Sequence, residues 1–214
     1  MEFLPKEIDN YVSAHTSPES ALLNQLNRET HLKVLMPRML SGHIQGKIIS
    51  TFSHMIKPKR VLEIGTYTGY SALCWAEGLT EDGKIITIDN NVELEKMCRD
   101  YFSKSPHYSK IDFRIANAME LIPTLDEKWD IVFIDADKHN YQNYFDMVIG
   151  NMNKCGFIIA DNVLWSGKIL VELDKMDKDT RSLYDYNNKV MNDPRVEPVL
   201  FPVRDGMMVC RVKN

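Results

Sequence analysis

A chain of 214 residues, 44% hydrophobic and 26% charged, has the makeup of one ordinary globular domain. Disorder, collagen and coiled coil are excluded, and a cofactor domain beside a separate substrate domain would be cramped in this length. The 26 basic and 30 acidic residues leave a net charge of −4 with no run of one sign, which lacks the electrostatic footprint of a duplex-binding protein.

Residues 1–58 read as a helical N-terminal part. Ser17 is a cap and Pro18 suits the first helical position, after which Leu22, Leu23 and Leu26 recur on one face. From His43 to Lys57 the apolar residues Ile44, Ile48, Phe52 and Met55 fall at helical spacing, a face expected to pack on a core or on a partner subunit. At Arg60 the period changes, and residues 59–214 read as a sheet core. Short apolar runs, Val61 to Ile64, Ile85 to Asp89, Ile111 to Ile115, Ile131 to Asp135 and Phe157 to Asp161, alternate with helix-length segments, as in crossover units of a parallel sheet. A helix over Lys178 to Met191, stopped by Pro194, precedes two strand-like runs, Val196 to Val203 and Gly206 to Val212, with Asp205-Gly206 as the turn. The expected fold is therefore a single α/β domain over 1–214: a Rossmann-like, doubly wound, mostly parallel seven-stranded sheet with a C-terminal antiparallel hairpin. Its ligands belong outside the carboxyl ends of the strands.

Cys74, Cys98, Cys155 and Cys210 form no C-x-x-C pair, so neither a zinc site nor a disulfide framework is suggested, and a reducing cytoplasm is expected. The stretch Met1 to Glu7 has no apolar signal-type core, and no run of about 18 apolar residues occurs, so no membrane is expected.

The segment Val61 to Ser71 reads as strand, glycine turn and helix start. Tyr67 and Tyr70 stand where a dinucleotide fingerprint has its second and third glycines, so the close backbone approach to a pyrophosphate is missing. Glu63, inside the strand, repels a diphosphate but balances the sulfonium and ammonium of S-adenosylmethionine. The plainer alternative is a strand-to-helix turn that needs only Gly65. Asp89 ends the next strand, where a carboxylate accepts both hydroxyls of a ribose. Asn117-Ala118 after the third strand offers an amide and a short side chain to an adenine edge.

The sharper constellation is Asp135-Ala136-Asp137-Lys138 after the fourth strand with Asp161-Asn162 after the fifth. On neighbouring strands Asp135, Asp161 and Asn162 make a set of hard oxygen ligands of the kind Mg²⁺ takes, with Ca²⁺ or Mn²⁺ as alternatives. Any one of them alone reads as a turn former. Lys138 follows in the same loop. A neighbouring metal disfavours its charge, and the neutral amine can take a proton from a hydroxyl; alone it reads as a solvated surface lysine.

These three stretches, with Asn140-Tyr141 behind the second and Val163-Leu164-Trp165-Ser166-Gly167 completing the third, resemble the metal-dependent class I O-methyltransferases of the caffeoyl-CoA and catechol type, in their bacterial branch. The resemblance runs from about Ser17 to Arg211. It implies an S-adenosylmethionine site including Ser41, Glu63, Gly65, Thr66, Ser71, Asp89, Ala118 and Asp137, with Tyr67, Asn90, Asn117 and Asp135 as further candidates. It likewise implies a divalent metal on Asp135, Asp161 and Asn162, with Lys138 and Asp135 as the catalytic residues and Lys138 as the base. Where many relatives carry Glu-Gly-Gln, this chain departs from the pattern with Gln45-Gly46-Lys47 and His43 just ahead; the candidate substrate contacts are His43, Lys47 and Trp165.

The expected reaction is methyl transfer from S-adenosylmethionine to a hydroxyl of a small catechol-like or phenolic acceptor, by in-line displacement after Lys138 deprotonates a hydroxyl made acidic by the metal. A homodimer through the N-terminal helices is expected. The alternative is a methyltransferase of a hydroxylated tRNA nucleobase, using a local basic patch from Arg28, Lys33, Arg38 and Lys47. A nicotinamide-dependent oxidoreductase lacks its glycines, and a non-catalytic binding domain leaves Asp135, Lys138, Asp161 and Asn162 unexplained.

Overall fold

The computed structural model describes residues 5–213; 1–4 and 214, the ends of the stretches read above, lie outside the described residues. Helices α1 (Lys6–Ala14), α2 (Ala21–Lys33) and α3 (Gly42–Ile56) lead into β1 (Arg60–Ile64), α4 (Tyr70–Ala76), β2 (Lys84–Asp89), α5 (Glu95–Phe102) and β3 (Ile111–Ile115). There follow α6 (Ala118–Leu121), β4 (Trp129–Ile134), α7 (Tyr141–Ile149), β5 (Met152–Asp161), α8 (Lys178–Asn192), β6 (Val196–Phe201) and β7 (Met207–Val212). The strands form one seven-stranded sheet in the order β3-β2-β1-β4-β5-β7-β6. β2 with β3, β1 with β4 and β4 with β5 pair parallel, while β7 runs antiparallel to both β5 and β6. This is the Rossmann-like sheet with its closing hairpin, and the order of strands reverses between β1 and β4, where such sheets bind ligands.

The chain divides into two compact units. The first, residues 61–65 and 118–213, holds β1, β4, β5, β6 and β7 with α6, α7 and α8. Its central strands are wholly buried at Val61, Leu62, Ile131, Val132, Phe133, Ile134, Ile158 and Ile159, as strands covered on both faces must be. Helix α8 starts where the Asp177 carboxylate accepts the N–H of Thr180 (2.8 Å), and it ends two residues before Pro194. Its Tyr186 ring meets Tyr141 and Phe145 edge-on. β5 begins five residues earlier than expected, with Cys155 in the left-handed region, and β6 stops at Phe201, short of Pro202 and Val203.

The second unit, residues 5–60 and 66–117, holds α1 to α5 with β2 and β3. One expectation needs correction here, and one is narrowed to its second alternative. The cap of α2 is Ser20, whose hydroxyl accepts the N–H of Leu23 (3.3 Å), not Ser17 with Pro18. That start puts Leu23, Leu26 and Thr30 on the buried face. In α3 the buried residues are Gln45, Gly46, Ile49, Ser50 and Ser53, not the apolar stripe. Small side chains let α3 approach α4 closely: a Cβ on Gly46 would stand 2.5 Å from the Tyr70 ring, and the Ser53 hydroxyl donates to the Trp75 carbonyl (2.6 Å). Ile44, Ile48 and Phe52 are left half-buried and Met55 is 75% exposed. Lys33 is ion-paired with Glu29 (2.9 Å), which takes one cation out of the basic patch considered above. Among the described residues no helix is long and apolar enough to cross a membrane.

Candidate active site

The parallel register decides which residues meet at the ends of the central strands. Ile64 is paired with Ile134 and Ile134 with Ala160, so the next residues, Gly65, Asp135 and Asp161, leave neighbouring strand ends together. The Asp135 N–H still donates to the Ile64 carbonyl (2.9 Å). Gly65 has φ +101°, and a Cβ there would stand 1.9 Å from the Asp135 carbonyl oxygen. Only glycine fits, because the Asp135 carbonyl occupies the place a side chain would take.

Lys138 sits in a short 3₁₀ turn just past β4, with its side chain only 10% exposed. Its Nζ donates to Asp135 Oδ1 (3.1 Å), Asn162 Oδ1 (2.9 Å) and the Tyr141 hydroxyl (2.6 Å). The Tyr141 hydroxyl in turn donates to the Asp161 carbonyl (3.0 Å). Burial, reinforced by the negative charges of Asp135, Asp161 and Asp137, pushes the Tyr141 phenol well above its usual range, so it remains a protonated donor. Asp161 is buried, and its carboxylate accepts the N–H of Asn162 (2.8 Å). Asn162 itself is left-handed, φ 60°. The Trp165 ring centre lies 5.8 Å from Lys138 Nζ.

The structure thus brings Asp135 Oδ1, Asn162 Oδ1 and the Tyr141 hydroxyl onto one atom, Lys138 Nζ, with Asp161 beside them in register. Two hard oxygens already converge on a cation, which is the chemistry a Mg²⁺ site requires. Among the described residues no group of three His, Cys, Asp or Glu side chains is placed to hold a metal ion, so the candidate set depends on the amide of Asn162 as its third donor. Asp137 is exposed; its carboxylate accepts the Tyr144 hydroxyl and the Asn140 amide (both 2.5 Å). Glu63 is wholly buried within β1. A carboxylate so placed is stable only when positive charge or donors balance it, which suits a cationic ligand.

In the second unit, Asp89 accepts the N–H of Tyr67 (2.7 Å) through one carboxylate oxygen and that of Asn91 (2.9 Å) through the other. Thr66 shares a hydrogen bond with Thr87 (2.6 Å), and Tyr67, left-handed at φ 52°, donates its hydroxyl to the Met36 carbonyl (2.9 Å). Burial raises the Tyr67 phenol. Ser71 is buried in the first turn of α4 and Ser41 just ahead of α3, whereas Asn90 and Asn117 are exposed. His43 Nε2 donates to the Ser17 carbonyl (2.7 Å), and Lys47 is half-buried on α3. Ala118, in the first unit, is buried at the start of α6. Sequence reasoning gave no role to Tyr141, although its position three residues after Lys138 is the spacing at which side chains meet on a helical turn.

Comparison with known proteins bears on this arrangement. A family model described as O-methyltransferase matches residues 12–213. The chain is 36% identical to the caffeoyl-CoA O-methyltransferase of Medicago sativa, over 81% of this chain and 74% of that one. It is 30% identical to tricin synthase 2 of Oryza sativa subsp. japonica, over 96% and 81%.

The chain belongs to the O-methyltransferase family.

Solved structures carry the same fold across the whole chain. The SAH-bound methyltransferase PaMTH1 of Podospora anserina matches with a TM-score of 0.86 at 27% identity, covering 99% of this chain and 98% of that one. Cofactor-bound Rv0187 from MTB matches with a TM-score of 0.89 at 25% identity, covering 99% of both. The class I, S-adenosylmethionine-dependent O-methyltransferase expected from the three motifs is thereby established as the enzyme class, and the nicotinamide reading falls.

Proposed function

We propose that the protein transfers the methyl group of S-adenosylmethionine to one hydroxyl of a small catechol-like phenol, with Lys138 as the base and a divalent cation, Mg²⁺ by preference, on Asp135, Asp161 and Asn162. The observation that carries this reading is the buried Lys138 Nζ, held by Asp135 Oδ1, Asn162 Oδ1 and the Tyr141 hydroxyl at the ends of β4 and β5. The names of the relatives, which specify caffeoyl-CoA and tricin, support a phenolic acceptor.

Glu63 would balance the positive charge of the donor, while Gly65 leaves backbone space and Asp89 takes the ribose hydroxyls. S-Adenosylmethionine, when bound, supplies a methyl carbon already activated by a cationic sulfur. A divalent cation on the Asp135, Asp161 and Asn162 oxygens supplies Lewis acidity that makes the acceptor hydroxyl easier to ionise. Lys138 removes the hydroxyl proton; Tyr141, which stays protonated, keeps the amine in place and does not compete as an acid. Trp165 gives the acceptor ring a flat apolar face. With the donor bound, the phenolate would face the activated methyl carbon, and transfer, with the carbon–sulfur electron pair returning to sulfur, would leave the methyl ether and S-adenosylhomocysteine. Alignment and charge neutralisation supply the rate.

The outward stripe of α3 further supports a homodimer, since Ile44, Ile48 and Phe52 stay only half-buried and Met55 is exposed.

Activity and binding, measured separately, test the chemistry. Excess chelator should abolish methylation of a catechol and Mg²⁺ should restore it. Asp161→Ala and Asn162→Ala should lose turnover while calorimetric binding of S-adenosylhomocysteine stays near normal, and Lys138→Ala should lose turnover yet still bind Mn²⁺. Full activity in excess chelator, in protein shown free of metal, would overturn the role given to the cation.

A further inference from the structure

The loop leaving β5 has an unusual backbone. Asn162, Trp165 and Ser166 are left-handed, at φ 60°, 48° and 56°, and Gly167 follows at φ 78°. Non-glycine residues hold such a conformation only where surrounding structure over-determines it. Here the turn between β6 and β7 does so. Val163 N–H donates to the Gly206 carbonyl (3.1 Å), Leu164 N–H to the Asp205 carbonyl (2.8 Å) and Ser166 N–H to the Asp205 carboxylate (2.5 Å). From α8, the Asn187 amide donates to the Val163 carbonyl (2.9 Å). The turn also packs on the loop, because Gly206, at φ +83°, stands so close that a Cβ would lie 2.4 Å from Leu164 Cγ.

Of the turn's hydrogen bonds to the loop, the one to Ser166 is made by a side chain. It seizes the residue next to Trp165, in the middle of the left-handed run. The Trp165 ring has a lysine ammonium on either hand, Lys138 at 5.8 Å and Lys168 at 6.0 Å from its centre. Where that ring stands therefore sets the wall against which an aromatic acceptor lies next to Lys138.

We infer that Asp205 is a positioning residue of the acceptor side: by capping the Ser166 N–H it fixes the Trp165 ring beside Lys138, and so selects which hydroxyl of a vicinal diol is presented for methylation. The inference rests on the reading of Lys138 as base and Trp165 as acceptor contact. In this role Asp205 acts through Ser166 and Trp165, not on the reacting atoms. A sequence reading sees only the Asp-Gly turn signal, since the carboxylate's partner lies 39 residues away along the chain.

Two readouts separate the clamp from the chemistry. Trp75 and Trp129 are fully buried, so acrylamide quenching of the ligand-free protein reports mainly on Trp165. Asp205→Ala should raise the quenching constant about twofold as the loop loosens, and Asp205→Asn, which keeps an oxygen to accept the Ser166 N–H, should restore it. In turnover, Asp205→Ala should raise KM for a catechol about tenfold, the loss expected from one charge-assisted hydrogen bond. It should also bring the two monomethylated products toward equal amounts, with KM for S-adenosylmethionine unchanged. Asp205→Asn should recover both the catechol KM and the product ratio. If Asp205→Ala does not fold, Asp205→Glu, whose longer stem carries the carboxylate past the Ser166 N–H, should give the same changes. Unchanged quenching in a folded variant overturns the clamp. Changed quenching with an unaltered catechol KM and product ratio overturns the positioning role, and a wild type that methylates no phenol overturns the acceptor reading while the quenching result still decides the clamp.

Discussion

Asp89 gives one carboxylate oxygen to the Tyr67 N–H and the other to the Asn91 N–H, so it braces the loop after β1 and the loop after β2. An ionised carboxylate offers about four lone-pair sites, which leaves room for a ribose diol on the same group. On the proposed reading, in which Asp89 takes the ribose hydroxyls, bracing and binding are coupled at this residue. Asp89→Ala should weaken S-adenosylhomocysteine by about 1–3 kcal/mol through the lost ribose contacts, and it should also lower the melting temperature of the ligand-free protein. Asp89→Asn should fall between on both measures. An alanine variant that melts like wild type would show that the two backbone contacts do not matter. Gly65 teaches a related lesson. Its neighbourhood in the sequence shows a glycine turn, but the Asp135 carbonyl that forbids a Cβ arrives from 70 residues later, and no local pattern reports it.

At the level of elements, the central strands were legible because a strand buried on both faces reads as a near-continuous apolar run, as Val61 to Ile64 (Glu63 apart), Ile131 to Ile134 and Phe157 to Ala160 do. The site followed from them, since Asp135, Asp161 and Asn162 stand where those runs stop. In α3 the core side of the same reading was less legible: the helix buries Gly46, Ser50 and Ser53, whose value lies in being small and in donating hydrogen bonds, so hydrophobic spacing does not mark the face that meets α4. α8 was legible in its length but not in what it meets. Its Tyr186 lies buried with Cys210 of β7, and burial pushes the Cys210 thiol up to about 12 and the Tyr186 phenol well above its usual range. The consequence for stability has a definite sign. In the unfolded chain the thiol ionises near 9.0 and the phenol near 10.0, whereas in the folded chain both stay neutral. Rising pH thus favours the unfolded chain from about pH 9, and the loss from Cys210 continues until about pH 12. The melting temperature should be level just below pH 9 with respect to these groups and fall above it. Cys210→Ala, less stable at neutral pH because of the cavity it leaves, should lose less between pH 9 and pH 11 than wild type. Equal slopes for the two proteins would exclude the thiol as a cause.

Across the whole molecule, the strand order places the chemistry and the helices decide what is left uncovered. The reversal of order between β1 and β4 sets Gly65 and Asp135 side by side, and pairing of β4 with β5 adds Asp161. The N-terminal helices contribute differently. α1 buries none of its residues, and α3 leaves Ile44, Ile48 and Phe52 half-buried and Met55 exposed. The link after α2 adds Leu35, 96% exposed. Apolar side chains repeated at i, i+4, i+8 and i+11 on one helix are a seam, not the scattered exposure that any surface shows. Covering that seam with the same seam of a second copy is the closed solution, because a two-fold axis lets one self-complementary face satisfy both chains. Light scattering at micromolar concentration should therefore give about twice the 24.8 kDa of one chain. Ile48→Glu combined with Met55→Glu sets like charges against each other across the axis and should yield a folded monomer, with an unchanged far-ultraviolet spectrum and half the scattering mass. A wild-type mass of one chain, or a dimer indifferent to both charges, would place the contact elsewhere or remove it.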